Sequence, residues 1–597
     1  MANNQNKNRR IYDENALRGV LMSGPTVNEL SWKIGGPAGF GIASAGSAFA
    51  TACMHAGLNA FLLSENPSLI RGGHNFVSVH VAERQVHSHV ARTDMLVALD
   101  ETTAMLHAKD VAKGGCVIYD PEEFPVTVPV GVNAFQIPIK KLCEEHGGLL
   151  MRNTVALGAA AGLLSFDATF IESVLKDMFT RKGEAIVKQN TDAFKAGYDY
   201  AKKRYPDGSG FSLEKRKATN KVMVSGNDAI ALGAVKAGCT FMSAYPMTPA
   251  TGVFEAMAEM EKDYGLVVRQ VEDEIAAVTM AIGASFAGAR AMTSTSGGGF
   301  CLMTEGLGLA MQTETPIVIV ESQRPGPATG MATRTAQGDL RFVLHASTDD
   351  GPRIVLAPGD MEECFSLTMR AFDLSEKYQL PAIILVDKFL GMSYATAEAF
   401  KGTSAKRHLL SDKDATKLTD YKRYALTKDC ISPRTVPGQK GGIHVASSYE
   451  HDEYGHESED EAMRVKMAQK RMCKLDGAAK EISQPEAFGN KKPDILLIGW
   501  GSTKGPIREA MLMLEKEGVK AAHLHVSCLS PFPKEAILHA MKSAGKALVI
   551  ENNQTGQMAS LIRENTCMDA DCLLKYDGRM FFPEEINRHV LKLMERI

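Results

Sequence analysis

One pattern recurs along the sequence: short apolar runs end in Gly, Ser or Pro turns and are followed by stretches with helical periodicity. It occurs in three parts of the chain, at residues 30–203, 221–400 and 494–597. Strands that alternate with helices favour an open, mostly parallel sheet with helices on both faces. The sequence therefore predicts an α/β protein with three α/β domains, the first of them doubly wound.

The remaining segments lack this pattern. Residues 1–29 are polar, without the apolar core of a secretion signal, and are predicted to form an N-terminal tail. Residues 204–220 are rich in Gly, Pro and charge and are predicted to be a linker. Residues 401–493 are irregular and highly charged, which indicates an extended arm between domains, with a helix after the acidic segment 450–461.

Composition narrows the functional classes. The 597 residues are 45% hydrophobic and 23% charged, with a formal net charge of -3, so nothing favours nucleic acid or a membrane as partner. The longest apolar runs are strand-sized. We therefore expect a cytoplasmic protein. Its 11 cysteines are scattered singly, which predicts reduced, mostly structural thiols and neither zinc nor an iron-sulfur cluster on this chain.

Two Gly-rich turns are candidate anion sites. Residues 35–41, GGPAGFG, and residues 499–505, GWGSTKG, follow predicted strands and precede helices. Backbone N–H groups in such turns can bind phosphate. Neither turn matches a P-loop or a dinucleotide fingerprint. Close packing of helix against strand is the alternative interpretation.

Three carboxylates open an unusually apolar segment. Glu272, Asp273 and Glu274 precede residues 275–288, which are apolar or small all round and predict a helix buried on every side. Acidic residues favour helix N-termini, and this accounts for one or two of the three. The other hypothesis is that one carboxylate is buried to pair with a protonatable ring nitrogen of a cofactor. The residues alone leave both interpretations open.

Three predicted strands of the middle domain end in hydrogen-bond donors. They are followed by residues 243–252, SAYPMTPATG, by residues 293–299, TSTSGGG, and by Arg324. The carboxyl ends of parallel strands gather ligands, and arginine suits a carboxylate because its guanidinium donates two parallel hydrogen bonds. Each feature alone also fits a turn without a ligand. Together they predict a concave site for an anionic substrate.

Several long segments of the sequence resemble motifs of a known family. They are SENPSLIRGGHNFVSV, SAYPMTPATG, VEDEIAAVTMAIGASFAGARAMTSTSGGG, VESQRPGPATGMATRTAQGDL and SYEHDEYGHESED. In domain order, and over nearly the whole chain from about residue 30, the sequence resembles the α subunit of 2-oxoacid:ferredoxin oxidoreductases. The form it resembles has the γ domain fused at the N-terminus, as in the 2-oxoglutarate synthase type. The resemblance implies a γ-type domain, then a pyrimidine-binding domain for thiamine diphosphate, then a domain like the transketolase C-terminal domain.

The resemblance also implies roles for single residues. The family's Tyr-Pro-Ile-Thr-Pro motif corresponds to residues 245–249, with Met247 in place of Ile. It implies that Thr248 hydrogen-bonds the substrate and that Tyr245 and Pro246 contribute to the cofactor site.

Three further residues match positions in the family's motifs. Glu274 corresponds to the glutamate that binds the thiamine pyrimidine, and Arg324 to the arginine that holds the substrate's 1-carboxylate. Thr333 is a candidate for contact with the distal end of the substrate. The catalytic set implied is therefore Glu274, Arg324 and Thr248.

The sequence also lacks two features that enzymes of this family need for catalysis. We find neither a Gly-Asp-Gly segment followed by Asn-Asn, which holds Mg²⁺ and the diphosphate, nor a cysteine cluster. In the family both belong to a β subunit. The resemblance thus implies an active site shared with that partner, in an αβ dimer of dimers, with Mg²⁺ and the iron-sulfur cluster on the β subunit.

The implied reaction is oxidative decarboxylation of a 2-oxoacid, with coenzyme A as cosubstrate and ferredoxin as electron acceptor. The expected substrate is 2-oxoglutarate; pyruvate and branched 2-oxoacids are alternatives. A redox-independent thiamine enzyme and a non-catalytic homologue are the other classes.

Three further segments have no settled role. Residues 71–75, RGGHN, either face coenzyme A or form a tight turn. The segment 450–457 is a metal site or a solvated acidic cap. Residues 551–557, ENNQTGQ, are a candidate contact to a partner or coenzyme.

Overall fold

The computed structural model describes residues 26–67, 73–218, 220–403 and 406–595. In this part of the chain the strands form three large sheets and one short strand pair, and helices cover the sheets. The predicted α/β fold is confirmed. The segment 71–75 lies partly outside the described residues.

The first sheet is built mainly from the N-terminal third of the chain. Its strand order is β7-β6-β5-β2-β4-β3, counted over elements with the following bounds. They are β1 (Thr26–Val27), β2 (Glu29–Pro37), α1 (Ile42–His55), β3 (Asn59–Glu65), β4 (His74–Ala82), β5 (Thr93–Ala98), α2 (Glu101–His107), β6 (Val111–Tyr119), β7 (Asn133–Gln136), α3 (Ile139–Glu145), α4 (Arg152–Leu163), α5 (Ala168–Phe179), α6 (Glu184–Arg204) and β8 (Phe211–Ser212). Strands β1 and β8 pair with each other, so part of the predicted linker is paired with the end of the predicted tail.

The second sheet follows in the middle of the chain. Its elements are β9 (Lys221–Ser225), α7 (Gly226–Lys236), β10 (Phe241–Ala244), α8 (Thr251–Glu259), α9 (Glu261–Tyr264), β11 (Val267–Gln270), α10 (Glu274–Phe286), β12 (Ala291–Thr295), α11 (Gly297–Gln312), β13 (Val318–Gln323), α12 (Leu340–His345), β14 (Ile354–Leu356), α13 (Met361–Tyr378), β15 (Ala382–Asp387), α14 (Lys388–Met392) and β16 (Tyr394–Glu398). The order β11-β10-β12-β13-β15-β14 is parallel throughout. Strands β12, β13 and β15 are buried along their whole length because helices cover both faces.

The third sheet has the order β17-β19-β18-β21-β22. Its region contains α15 (Asp412–Ala415), α16 (Glu461–Glu481), β17 (Ala487–Gly489), β18 (Ile495–Gly499), α17 (Lys504–Lys516), β19 (Ala521–His525), β20 (Cys528–Ser530), α18 (Lys534–Ser543), β21 (Lys546–Glu551), α19 (Gln557–Thr566), β22 (Asp571–Leu574) and α20 (Pro583–Met594). Helix α16 lies where the sequence predicts one, after the acidic segment. No helix in the described ranges is long and apolar enough to cross a membrane.

The three sheets exchange strands. Strands β9 and β16, from the stretch predicted as the middle domain, extend the first sheet beside β3. Strand β20 pairs antiparallel with β14, and β17, from the predicted arm, pairs with β19. The predicted domain limits stay a prediction, but the sheets do not end where those limits fall.

The structure corrects two expectations. Helix α10 is not buried on every side, because Ile275 is 49% exposed and Met280 is 42% exposed. The apolar side chains of α10 therefore lie on two faces, one packed against the protein and one exposed to solvent. The cysteines are not all reduced either: Cys430 and Cys473 form a disulfide that joins α16 to an earlier part of the predicted arm.

Candidate active site

The carboxyl ends of three neighbouring strands meet at one edge of the second sheet. Strands β10, β12 and β13 are adjacent and parallel, so the loops that follow them leave in the same direction. These loops contain the three donor-rich segments singled out from the sequence. The turn after β10 is fixed by Asn227 Nδ2, which donates to the Pro249 carbonyl at 3.1 Å, and by Ser294 Oγ, which donates to the Ala250 carbonyl at 3.4 Å.

The structure brings two predicted site residues into contact. Arg324 Nη1 donates a hydrogen bond to the backbone carbonyl of Thr248 at 2.7 Å. Arg324 is half-buried, and burial lowers the pKa of its guanidinium below the ordinary value. Tyr245 is 39% exposed and Pro246 is half-buried on the same turn. The arginine is thus held against the turn that carries Thr248, with its other N–H groups available for a ligand.

The three carboxylates before α10 have three different environments. Glu272 is exposed, and the Asp273 side chain caps the helix by accepting from Ala276 N at 2.8 Å. Glu274 is only 3% exposed, and its Oε1 has no hydrogen-bond partner among the described residues. Leaving a buried charged oxygen unpaired costs free energy. Glu274 is therefore the carboxylate that a ligand could satisfy.

The space beside Glu274 is kept open by a glycine. A Cβ atom added to Gly299, in the first turn of α11, would overlap both Glu274 Oε1 and Thr295 Oγ1. Thr295, at the end of β12, lies with its hydroxyl 3.9 Å from Met247 Sδ. Glu274 therefore lies beside the same turn that carries Thr248.

The residues present fit the pyrimidine end of thiamine diphosphate. That ring has a nitrogen that can donate a hydrogen bond when protonated, and Glu274 Oε1 is a buried acceptor without a partner in the described part of the chain. The hydroxyls of Thr293 and Ser296, on and just after β12, are also buried and unpaired within the described residues. A polar ligand at this strand end would supply partners that the protein does not.

Thr333 lies on the same loop as Arg324 and is half-buried. The described residues show no hydrogen bond from its side chain to Arg324 or Thr248. Its proposed contact with the distal end of the substrate stays a prediction.

Two carboxyl groups near the site, one fully buried and one half-buried, escaped the sequence analysis. Glu321, in β13, pairs in register with Thr295, and it interacts with Asp339. Burial, and next the neighbouring Asp339, raises the pKa of Glu321 well above its ordinary value; burial also raises the pKa of Asp339. A single acidic residue inside the apolar run IVIVES was the available signal.

The acidic segment 450–457 is engaged in internal contacts. Glu450 accepts from Arg464 Nη1 and from Arg471 Nη2, both at 2.7 Å, and His451 is buried against backbone carbonyls. Burial alone would raise the pKa of Glu450, but the two arginines lower it to about 2. No group of metal-ligating side chains was found in the described ranges. Ion pairs account for this segment.

The segment 551–557 joins two parts of the structure. Glu551 accepts from Met558 N at 2.9 Å and so caps α19, while Asn553 Nδ2 donates to the Gln337 carbonyl at 3.1 Å. Gln337 lies on the loop that carries Arg324. This contact is internal, whereas the sequence suggested a partner or coenzyme.

Family models match three consecutive parts of the chain. One described as pyruvate ferredoxin/flavodoxin oxidoreductase matches residues 31–200. One described as the thiamine-diphosphate-binding part of pyruvate flavodoxin/ferredoxin oxidoreductase matches residues 232–470, and the pyruvate:ferredoxin oxidoreductase core domain II model matches residues 493–586. The second of these ranges contains the site described above.

Comparison with individual proteins extends the similarity to nearly the full length. The 2-oxoacid:ferredoxin oxidoreductase subunit alpha of Sulfolobus sp is 34% identical over 631 residues, which is 95% of this chain and 97% of the relative. The 2-oxoglutarate oxidoreductase subunit KorA of Mycobacterium tuberculosis is 28% identical and covers 86% of this chain and 82% of its own length. The solved 2-oxoglutarate:ferredoxin oxidoreductase from Magnetococcus marinus, with 2-oxoglutarate, coenzyme A and succinyl-CoA bound, aligns with a TM-score of 0.89, 34% identity and coverage of 95% and 99%. The chain belongs to the family of 2-oxoacid:ferredoxin oxidoreductase α subunits.

Proposed function

We propose that this α subunit supplies half of the active site for the reversible oxidative decarboxylation of 2-oxoglutarate to succinyl-CoA and CO₂. The cofactor is thiamine diphosphate and the electron acceptor is ferredoxin. The observation that carries the proposal is Glu274, a buried carboxylate beside the Thr248 turn whose Oε1 has no partner within the described ranges. When bound, thiamine diphosphate supplies an electron sink for the pair of electrons released as CO₂ leaves.

Glu274 holds the pyrimidine end of the cofactor in this proposal. Its Oε1 accepts a hydrogen bond from the ring nitrogen, and this bond is strongest when the nitrogen carries a proton. The low dielectric around a side chain that is 3% exposed strengthens the interaction further. The carboxylate thereby favours the protonated ring and sets the orientation of the cofactor.

Arg324 and Thr248 orient the substrate. One guanidinium N–H of Arg324 is used by the Thr248 carbonyl, and the remaining N–H groups can bind the 1-carboxylate. This carboxylate is the group that leaves, so its orientation controls the reaction directly. The Thr248 hydroxyl, on the same turn, donates a hydrogen bond to the substrate, and Thr333 contacts its distal end.

The missing half of the site comes from a β subunit. Three exposed apolar residues lie on the two helices next to Glu274. They are Ile275 and Met280 of α10, which are 49% and 42% exposed, and Leu302 of α11, which is 49% exposed. We propose that the β subunit covers this face in an αβ dimer of dimers and brings Mg²⁺, the diphosphate site and the iron-sulfur cluster. The small residues of α10 then allow close approach of the partner and the cofactor.

The assignment of 2-oxoglutarate is supported by relatives that carry this substrate in their names. The test is anaerobic viologen or ferredoxin reduction by the co-expressed αβ complex with 2-oxoglutarate, pyruvate and a branched 2-oxoacid. We expect coenzyme A-dependent and thiamine-dependent reduction, fastest with 2-oxoglutarate. The α subunit alone is the control and should be inactive.

The outcomes separate the levels of the proposal. Faster turnover of pyruvate or a branched 2-oxoacid would replace only the substrate. Turnover without an electron acceptor would indicate a redox-independent thiamine enzyme. No turnover of any 2-oxoacid by a folded, cofactor-loaded complex would reject the catalytic role.

A further inference from the structure

The loop between β13 and α12, residues 324–339, carries Arg324 and Thr333 and is fixed at its far end to the third sheet. Gln337, which is fully buried, donates through Nε2 to the Trp500 carbonyl at 2.8 Å and accepts at Oε1 from Asn552 N at 2.9 Å. Its backbone N donates to the Asn552 carbonyl at 2.7 Å. One end of the loop is therefore anchored by hydrogen bonds.

The middle of the same loop is held by charge from the first sheet. Arg334, directly after Thr333, forms an ion pair between its Nη1 and Oε2 of Glu65, the last residue of β3. Both side chains are largely buried, at 18% and 16% exposure. A guanidinium–carboxylate pair shielded from water is stronger and more rigid than one on the surface.

Glu65 binds a second cation from another direction. Lys388, the first residue of α14, donates through Nζ to Glu65 Oε1 at 3.1 Å and to the Ser64 carbonyl at 2.8 Å, and its side chain is only 2% exposed. The buried lysine therefore fixes the carboxylate that holds Arg334. Two elements of the second sheet region are joined to the first sheet through one glutamate.

We propose that Arg334 is a positioning residue, which uses its ion pair with Glu65 of the first sheet, itself held by Lys388, to fix the 324–339 loop and thereby the substrate contacts of Arg324 and Thr333. This inference rests on the proposed function for its effect on catalysis. The first sheet would then contribute to substrate binding indirectly, through the Arg334–Glu65 ion pair, which does not itself contact the substrate. Displacement of Arg324 and Thr333 weakens the contacts that the substrate makes with both residues, and this loss of binding is measured as a rise in KM.

The test uses Arg334→Gln in the co-expressed complex. This change leaves Glu65 and Lys388 as a one-to-one pair, so no buried charge is left without a partner. We expect the KM for every accepted 2-oxoacid to rise by about tenfold with kcat nearly unchanged, since uniform binding is lost. Arg334→Lys, which keeps the charge, should recover part of the affinity.

Arg84→Gln is the matched control. Arg84 also joins the first-sheet region to another part of the chain, through an ion pair of its Nη1 with Glu509 Oε1 at 2.9 Å, but Glu509 lies on α17 and outside the 324–339 loop. We expect its KM to equal that of the wild type. Equal KM changes in both variants would show that the effect does not depend on the 324–339 loop and would overturn the proposal.

A coupling experiment tests the route through Glu65. The pair Glu65→Gln/Lys388→Met removes the carboxylate together with its buried lysine and should raise the KM as Arg334→Gln does. Combined with Arg334→Gln, it should add little, because all three changes break one connection. Additive effects, or a KM rise confined to dicarboxylic 2-oxoacids, would mean direct contact between Arg334 and substrate and would overturn the positioning role.

Hydrogen exchange provides a readout that does not need turnover. The amides of Arg334 and Thr335 donate to the carbonyls of Met331 and Gly578 at 3.0 and 3.1 Å. In the complex without substrate, Arg334→Gln should speed exchange across residues 331–336, whereas Arg84→Gln should not. Unchanged exchange would reject the inference even for an active enzyme, and an inactive wild type with this exchange difference would reject only the proposed function.

Discussion

Two buried glutamates of the middle region, Glu274 and Glu314, differ in how their carboxylates are satisfied. Glu274, at the start of α10, has an Oε1 without a partner in the described residues. Glu314, after α11, is fully buried and binds Lys470 Nζ at 2.6 Å through Oε1 and Lys474 through Oε2. A buried carboxylate that is paired with cations thus indicates a structural role, whereas one with an unpaired oxygen indicates a ligand site.

The difference separates sites built for a ligand from sites built for the fold. Burial alone would raise the pKa of Glu314, but Lys470 and Lys474 hold it well below its ordinary value. That carboxylate is charged, paired and tied to α16, so the arm is joined to the second sheet. Glu274 has no such cation in the part of the chain that the structure describes, and a ligand would complete its hydrogen bonding.

The largest expected effect is at Glu274. Glu274→Gln removes the charged acceptor and should lower turnover by about 10³-fold, within the range attributed to general acid–base groups. Its thermal stability should stay close to that of the wild type, because Oε1 has no partner among residues 26–67, 73–218, 220–403 and 406–595 that could be lost. Viologen reduction and thermal unfolding of the same samples measure both quantities.

The exposed neighbour Glu272 gives the control for this substitution. Glu272→Gln should leave turnover unchanged. Near-normal turnover of Glu274→Gln would remove Glu274 from the cofactor site.

The opposite pattern is expected at Glu314. Glu314→Gln leaves Lys470 and Lys474 buried without a carboxylate, and breaking a buried pair in this way costs about 3–5 kcal/mol. Chemical unfolding of the α subunit should show this loss. Folded Glu314→Gln complex should retain its kcat, and a specific loss of kcat without loss of stability would contradict the comparison.

Arg324 is expected to resemble Glu274, with a smaller effect. Arg324→Ala should reduce kcat/KM by about 10²-fold, in the range of two charge-assisted hydrogen bonds lost to the substrate. Thermal stability should change little because the side chain is half-buried and gives up one bond to the Thr248 carbonyl. Steady-state kinetics across several 2-oxoacids measures the effect; near-normal kcat/KM would reject the role in carboxylate binding.

The sequence indicated that Thr248 and Arg324 lie close together, as the structure shows, but it gave no sign of the Glu314 cluster. Strand ends near Thr248, Glu274 and Arg324 are visible in the sequence because polar residues follow apolar runs, and parallel strands bring such ends together. Glu314 and Lys474 are distant in sequence and lie in ordinary polar contexts. Their pairing depends on where the arm packs, which local periodicity does not encode.

The same limit explains the other differences between sequence and structure. The exposed face of α10 has the same composition as its buried face, so periodicity cannot identify it. The disulfide of Cys430 and Cys473, the pairing of β16 with β3 and the pairing of β20 with β14 all join residues far apart in the chain. Such contacts are set by tertiary packing, which the local residue pattern of one segment does not encode.

The smallest expected effect concerns the second lysine that pairs with Glu314, because one carboxylate can neutralise only one of the two lysines. Two lysines share one carboxylate, and burial lowers the pKa of Lys474 to about 7, with Glu314 partly opposing this. In the unfolded chain a lysine keeps a pKa of about 10.4. Between these two values the unfolded state binds a proton that the folded state does not, so the free energy of unfolding rises with pH. Below pH 7 both states are protonated and this contribution no longer changes.

Lys474→Met should therefore flatten the pH dependence of stability between about pH 7 and pH 9, where one proton contributes up to about 1.4 kcal/mol per pH unit. Urea unfolding of the α subunit at several pH values measures the slope. Lys466→Met, on the exposed face of the same helix, should keep the wild-type slope. An unchanged slope in Lys474→Met would show that Lys474 stays protonated throughout. Glu314 would then be paired with two positively charged lysines. Glu274, which has no cation partner among the described residues, would differ from Glu314 in the charge around it as well as in its hydrogen bonds.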